Sequence, residues 1–134
     1  MKDNAKPANL QSTFAVVKPD QGVDCLQVTE TVYADLDRAY DNFAGHQLVA
    51  IHQFDRDWPT WEVHPYGDEI VVLLSGSANL ELRQDNGNVT VRLEAPGDYI
   101  VVPKGTWHTA SVQQPTRMLF ITPGQGTLNR EEPE

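Results

Sequence analysis

Cysteine is nearly absent from this sequence of 134 residues, which contains Cys25 alone. A single cysteine excludes an internal disulfide and is typical of proteins that work in a reducing compartment. Residues 1–7 lack the apolar stretch of a signal peptide, and no apolar run elsewhere is long enough to cross a lipid bilayer. We therefore expect a cytoplasmic protein that has no membrane partner.

Basic residues are scarce as well, because 10 lysines and arginines accompany 19 aspartates and glutamates, giving a formal net charge of −9. A surface that binds nucleic acid needs a stripe of basic residues to displace counterions. The sequence contains neither a DNA-binding motif nor a glycine-rich phosphate loop. We therefore expect no nucleic acid among the partners of this protein.

Internal repeats and low-complexity tracts are also missing, and the length suits one domain with its own core. Residues 1–12 are polar and show no periodicity, which predicts a loose N-terminal arm. Residues 124–134 contain glycine and then become acidic, which predicts a C-terminal tail that lies over the surface or frays. A single domain over residues 13–123 lies between them.

Short strand-like segments fill most of that domain, separated by turns about every 8–12 residues. Residues 78–84 and 89–93 alternate apolar with polar side chains around a hairpin signal at residues 85–88. Helical spacing of apolar residues occurs near residues 30–40, which predicts one short helix. The predicted fold class is therefore all-β, with the turn spacing of a barrel and a short N-terminal helix.

One short segment combines two carboxylates and a histidine just before an apolar strand. Alternation places Glu62 and His64 on one face of a strand, and the turn that follows lets Glu69 point back toward them. His108 comes after a second turn downstream. Carboxylate oxygens and imidazole nitrogens suit divalent transition metals. These four residues are therefore the candidate metal ligands.

Their arrangement resembles the first of the two motifs of the cupin family, which runs His-x-His, four residues, Glu, six residues, Gly. Here Glu62, His64, Glu69 and Gly76 keep that spacing over about residues 57–76, with glutamate in place of the first histidine. The match is one of spacing, and it departs from the family pattern at one ligand.

The second cupin motif runs Gly, five residues, Pro-x-Gly, two residues, His, and it is matched over about residues 97–112. Its positions are filled by Gly97, Pro103, Gly105 and His108. The resemblance implies a cupin barrel, a jelly roll or double-stranded β-helix, over the predicted domain. It also implies that the four candidate ligands occupy the metal-binding positions.

Glutamate at position 62 changes the chemistry that the resemblance implies. A carboxylate in place of an imidazole hardens the site and favours Mn(II) or Fe(II), with Ni(II), Co(II) and Zn(II) as further candidates. Glu62 is then either a fourth metal ligand or a catalytic base that stands off an ion held by His64, Glu69 and His108. The sequence is also compatible with a Glu62 that pairs with an arginine or faces solvent, and with a barrel that binds no metal.

Several neighbouring residues have roles that the sequence leaves open. His52 shares strand parity with Phe54, so it either lines a pocket or is a structural or surface histidine. Trp61 and Trp107 each precede a candidate ligand, so alternation turns them away from the metal. Asp68 is predicted to be a solvated turn residue.

The cupin resemblance implies a small metal-dependent enzyme of oxygenase, isomerase or decarboxylase type, acting on a small polar molecule inside the barrel. The alternative is a non-catalytic barrel that binds a small ligand, as a sensor does. Alternation also turns Ile70, Val72 and Leu74 outward, and an apolar row of that kind needs a cover. The N-terminal strands of the same chain or a second subunit could supply it, and we expect a homodimer in which both contribute, which the resemblance implies too.

Overall fold

A computed structural model of the chain describes residues 6–133. Residues 1–5 of the predicted arm, and residue 134 of the predicted tail, lie outside the described residues. The helix is α1 (Val32–Ala39). In chain order the strands are β1 (Thr13–Val17), β2 (Val23–Gln27), β3 (Gln47–Phe54), β4 (Trp61–Val63), β5 (Glu69–Ser75), β6 (Ala78–Gln84), β7 (Gly87–Leu93), β8 (Tyr99–Val102), β9 (His108–Ser111), β10 (Thr116–Thr122) and β11 (Leu128–Arg130).

The strands form two antiparallel sheets that face each other. The six-stranded sheet has the order β2-β1-β3-β10-β5-β8, and the five-stranded sheet has the order β11-β4-β9-β6-β7. From β3 to β6, and again from β8 to β11, each strand lies in the opposite sheet to the strand before it. This alternation between sheets is the jelly-roll pattern, and the predicted all-β cupin barrel is confirmed.

Strand periodicity decides which side chains enter the space between the sheets. In β5, Glu69, Val71 and Leu73 are buried, whereas the residues between them are only half-buried. The predicted outward row of Ile70, Val72 and Leu74 is therefore present. The same alternation carries the carboxylate of Glu69 to the side of β5 on which Val71 and Leu73 are buried.

Helix α1 covers one end of the six-stranded sheet. Val32 and Leu36 lie one turn apart on its buried face and pack against Phe14 of β1 and Leu48 of β3. The predicted helix near residues 30–40 is confirmed, two residues shorter at its start and one at its end. No helix in the described part of the chain has the length and apolar character needed to cross a bilayer.

The segment after residue 123 contains a strand that the sequence pattern did not predict. Strand β11 pairs with β4 at the edge of the five-stranded sheet, and all three of its residues are exposed. A strand held by backbone hydrogen bonds at a sheet edge needs no apolar alternation, so its sequence carries no strand signal. The segment therefore lies on the surface in an ordered position beside the first motif.

Candidate metal centre

Three strand ends bring the four candidate ligands together. Glu62 lies in the centre of β4, His64 directly follows that strand, Glu69 begins β5 and His108 begins β9. Glu62 and His108 are direct partners in the pairing of β4 with β9. One nitrogen or oxygen atom from each of the four residues lies within 4.8 Å of the others. The two motifs, far apart in the sequence, thus meet at one point inside the barrel.

The distances between these atoms are short and similar. His64 Nε2 lies 3.2 Å from Glu62 Oε1 and 3.2 Å from Glu69 Oε2. His108 Nε2 lies 3.4 Å from Glu62 Oε1 and 3.0 Å from Glu69 Oε1. Adjacent ligands on a six-coordinate ion with bonds of about 2.1 Å are separated by about 3 Å. The cluster therefore has the dimensions of a site for one divalent ion.

The second motif fixes which nitrogen of His108 faces the cluster. Its Nδ1 lies 3.0 Å from the carbonyl oxygen of Thr106, and a carbonyl accepts hydrogen bonds only, so Nδ1 carries the hydrogen. Nε2 therefore faces Glu69 Oε1 at 3.0 Å. Both of these atoms are buried, and neither has a partner outside the cluster among residues 6–133. In the metal-free protein a proton on Nε2 separates the two atoms, and a metal cation would take the place of that proton.

His64 is oriented in the same sense by a different partner. Its Nδ1 lies 2.8 Å from Thr127 Oγ1, and that hydroxyl donates its own hydrogen to the carbonyl oxygen of Gly124 at 3.0 Å. Thr127 therefore accepts a hydrogen bond from His64 Nδ1–H, which leaves Nε2 facing the carboxylates. Glu69 is held as well, since Oε2 accepts a 2.6 Å hydrogen bond from Thr122 Oγ1. Partners of this kind orient metal ligands in known sites.

Charge within the cluster opposes the effect of burial. Burial lowers the pKa of both histidines, but the carboxylates of Glu62 and Glu69 outweigh it and raise the pKa of His64 to about 9 and that of His108 to about 10. Burial raises the pKa of Glu62, but the two histidines outweigh it and lower the pKa to about 2. The pKa of Glu69 is lowered for the same reason. A field that attracts protons so strongly also attracts a metal cation, which would replace those protons.

The loops of the two motifs are tied together beside the cluster. Asp68 Oδ1 accepts a 2.7 Å hydrogen bond from the backbone N–H of Lys104. The backbone N–H of Gly105 donates to the carbonyl oxygen of His64 at 3.0 Å. Gly105 has a φ of +76°, a conformation that other residues adopt only at a cost. Asp68 is exposed, as predicted, but it also joins one motif to the other.

The cluster opens onto a cavity of about 670 Å³. Glu62, His64 and Glu69 lie in its wall, and side chains from α1, from β3 and from residues 55–60 complete the lining. His52 is one of them, so the structure selects the pocket position for this residue over a purely structural or surface one. The cavity is large enough to hold a small organic molecule in contact with the cluster.

The three tryptophans divide between the two sides of the five-stranded sheet. Trp58 lines the cavity, with its ring 6.1 Å from the ring of His108. Trp61 instead lies 4.9 Å below the guanidinium of Arg83, and Trp107 lies 5.5 Å below that of Arg130. Trp61 and Trp107 are therefore turned away from the cluster, as strand alternation predicts.

Sequence reasoning did not single out Thr127, Thr122 or Phe120. Thr127 lies in a polar segment with no motif, and its contact with His64 spans 63 residues. Phe120 enters the cavity because β10 pairs with both β3 and β5. A spacing pattern read along one strand contains no information about such pairings.

Comparison with known proteins gives the following matches. The profile of the Cupin_2 family, described as "Cupin domain", matches residues 55–122, slightly more than half of the chain. None of the curated proteins matches the sequence. Among solved structures, a cupin-2 domain containing protein from Shewanella frigidimarina NCIMB 400 is similar, with 21% identity and a TM-score of 0.50 over 57% of this chain and 70% of that chain.

Oxalate decarboxylase from Bacillus subtilis is also similar, with 20% identity and a TM-score of 0.53. The similarity covers 63% of this chain but only 23% of that enzyme. At such identities both likenesses concern the fold.

Proposed function

This chain belongs to the cupin domain family, and from that premise we propose that it is a metal-dependent cupin whose Glu62, His64, Glu69 and His108 hold one divalent transition-metal ion. The observation that carries the proposal is the convergence of four ligand atoms within 4.8 Å of one another, among them the buried atoms Glu69 Oε1 and His108 Nε2, which face each other at 3.0 Å. Two carboxylates and two imidazoles favour Mn(II) or Fe(II) over Ni(II), Co(II) or Zn(II). The structurally similar oxalate decarboxylase contains Mn(II) centres, which supports the same preference.

We propose further that the protein is an enzyme of oxygenase, isomerase or decarboxylase type. A bound divalent ion would polarise an oxygen atom of the substrate and, if it is redox-active, would support oxidation. The cavity beside the cluster supplies the space for that substrate. Thr127 and Thr122 hold the ligand side chains in place while the substrate binds and leaves.

Glu62 is the residue that we propose for proton transfer. Its side chain is 24% exposed, whereas those of His64, Glu69 and His108 are at most 5% exposed. It lines the cavity, so it is the carboxylate of the cluster that a substrate can approach. A carboxylate in that position could accept a proton from the substrate whether it also touches the ion or stands off it.

Metal analysis tests the proposal directly. Protein prepared without added metal and freed of any histidine tag is expected to contain about one equivalent of Mn or Fe per chain, or to take it up on reconstitution. His64→Ala is expected to abolish uptake, whereas His46→Ala, a change in a loop outside the cluster, is expected to leave it intact. Wild-type protein that stays metal-free after reconstitution with both ions would contradict the proposal.

Turnover is tested on the reconstituted protein. Oxygen uptake or product formation that disappears in His64→Ala, and falls strongly in Glu62→Gln with metal still bound, supports the enzyme. Tight binding of a small molecule without any product would instead identify a sensor.

We propose that the protein forms a homodimer through the outer face of the six-stranded sheet. On that face the outward residues of β5 lie beside Leu119 of β10 and beside Tyr99 and Val101 of β8, which are 64% and 44% exposed. An apolar face of this extent is favourable to cover. Sedimentation is expected to give a dimer for the wild type and a monomer for Val72→Glu. A wild-type monomer at micromolar concentration would contradict this.

A further inference from the structure

Aromatic rings form one continuous side of the cavity. The ring centroid of Phe54 lies 5.5 Å from that of Trp58 and 6.0 Å from that of Phe120, and those two lie 5.9 Å apart. His52 continues the surface at 5.7 Å from Phe120, and its Nε2 lies 2.9 Å from the hydroxyl oxygen of Tyr33. All five line the cavity, and we call them the aromatic wall.

The aromatic wall reaches the metal centre. The ring of Trp58 lies 6.1 Å from that of His108, and Phe120 lies on the strand paired with β5, which carries Glu69. Aromatic side chains bind flat molecules by stacking and edge-to-face contact. A flat molecule on this surface would therefore present one edge to the carboxylates and imidazoles of the cluster.

Acidic side chains dominate the charged part of the lining. Asp37, Asp55 and Asp57 belong to it, and Arg56 is the one lysine or arginine among the described residues that line the cavity. The side chain of Arg56 is 86% exposed, and its Nε lies 3.4 Å from Asp55 Oδ1. Away from the metal centre, an anionic substituent would thus meet exposed carboxylates and no buried lysine or arginine, which disfavours its binding there.

We infer that the cavity binds a flat aromatic ring, uncharged or positively charged, whose oxygen substituents reach the metal centre. The inference rests on the proposed function and narrows the expected small polar molecule to one that carries a ring. Ring faces and aspartates both favour a positive charge on the guest. Sugar phosphates and dicarboxylates lack the ring.

Three catechols test the effect of guest charge while keeping the ring and its two oxygens. They are dopamine, which is positive, 4-methylcatechol, which is neutral, and 3,4-dihydroxyphenylacetate, which is negative. Each is titrated calorimetrically into the full chain loaded with Zn(II), an ion without redox chemistry. We expect the first two to bind at least about tenfold more tightly than the third, and malonate, which can chelate the ion but has no ring, to bind more weakly than the first two. Equal affinities for all four would overturn the inference.

A change in the wall tests the contact itself. Phe54→Leu keeps an apolar side chain and removes the ring, so the affinity for 4-methylcatechol is expected to fall about three- to tenfold. Trp58→Leu provides a second test at another partly exposed position of the wall. Tyr99→Leu, which removes an exposed ring from the outer face of the six-stranded sheet, is the matched control and is expected to leave the affinity unchanged. Unchanged affinity in both wall variants would overturn the role of the wall.

Zn(II) titration of the same protein separates this inference from the proposed function. If Zn(II) binds and the guests show no preference for a ring, the metal site stands and the inference fails. If the catechols bind in the expected order of charge to a protein that takes up no Zn(II), the aromatic wall stands and the proposed metal site fails.

Discussion

Both histidines of the cluster present Nε2 to the carboxylates, but the hydrogen-bond acceptors that orient their rings differ in kind. His108 donates Nδ1–H to the carbonyl oxygen of Thr106, two residues away in the same turn. His64 donates Nδ1–H to the side chain of Thr127, 63 residues away in the segment that forms β11. One histidine is thus oriented by its own motif, and the other depends on the tertiary fold. The difference means that His64 can be loosened without a change in either motif.

A change of pH should have the largest effect on the stability of the metal-free protein, and the two histidines should differ in the pH at which they lose their protons. Their pKa values in the folded protein, about 9 for His64 and about 10 for His108, lie above the unfolded value of about 6.5. The stabilisation by their protons is therefore complete below about pH 6.5 and is lost as pH rises through 9 and 10. We expect the free energy of unfolding, measured with urea and a chelator, to fall by a few kcal/mol over that range.

At acid pH the free energy of unfolding should change in the opposite direction, falling as the pH falls. The pKa of Glu62 is lowered to about 2, so its contribution is present above its unfolded value and is lost as pH falls toward 2. Histidine NMR signals should resolve the two alkaline steps, and replacement of the protons by bound metal should abolish them. A metal-free protein with both histidines titrating near pH 6.5 would show that the carboxylates do not act on them.

Thr127→Val should remove the distant hydrogen bond that orients His64 and leave the local one of His108 intact. The variant keeps the shape of the side chain but removes the acceptor for His64 Nδ1–H, so metal affinity is expected to fall about tenfold or more. Thr127→Ser retains the hydroxyl and should restore most of the affinity. Competition with a chromogenic chelator measures both. Equal affinity in all three proteins would mean that His64 needs no support from the C-terminal segment.

Arg130→Gln should have the smallest effect on the stability of the protein. The guanidinium of Arg130 stacks over Trp107 and helps to hold β11, which directly follows Thr127. Loss of an exposed cation–π contact costs about 0.5–1 kcal/mol, so the melting temperature should change by only a few degrees. Amide exchange in residues 128–130 should accelerate, while exchange around His108 should not. Faster exchange at both sites would indicate general loosening and would remove the distinction between the two supports.

The same contrast explains how much of the molecule can be predicted from its sequence. The all-β class and the common direction of Glu62, His64 and Glu69 follow from local patterns, namely strand alternation and the turn between the strands, whereas the cupin barrel and the convergence with His108 were implied by the resemblance of the two motifs to that family. Thr127 and the position of Phe120 depend on how strands distant in the chain pair, and no spacing within a segment records that pairing. Helix α1 was predictable because Val32 and Leu36 repeat at helical spacing.

The hydrogen bonds that join the motif loops, from Lys104 to Asp68 and from Gly105 to His64, also bear on how a bound ion would leave the site. They tie the two motif loops together beside the cluster, and we expect a bound ion to leave through the cavity that Glu62, His64 and Glu69 line. A guest bound in the cavity would block that route. A chelator should then remove the ion more slowly from the protein with a bound guest than from the protein without one, and the rate of metal loss would report how long the guest stays bound.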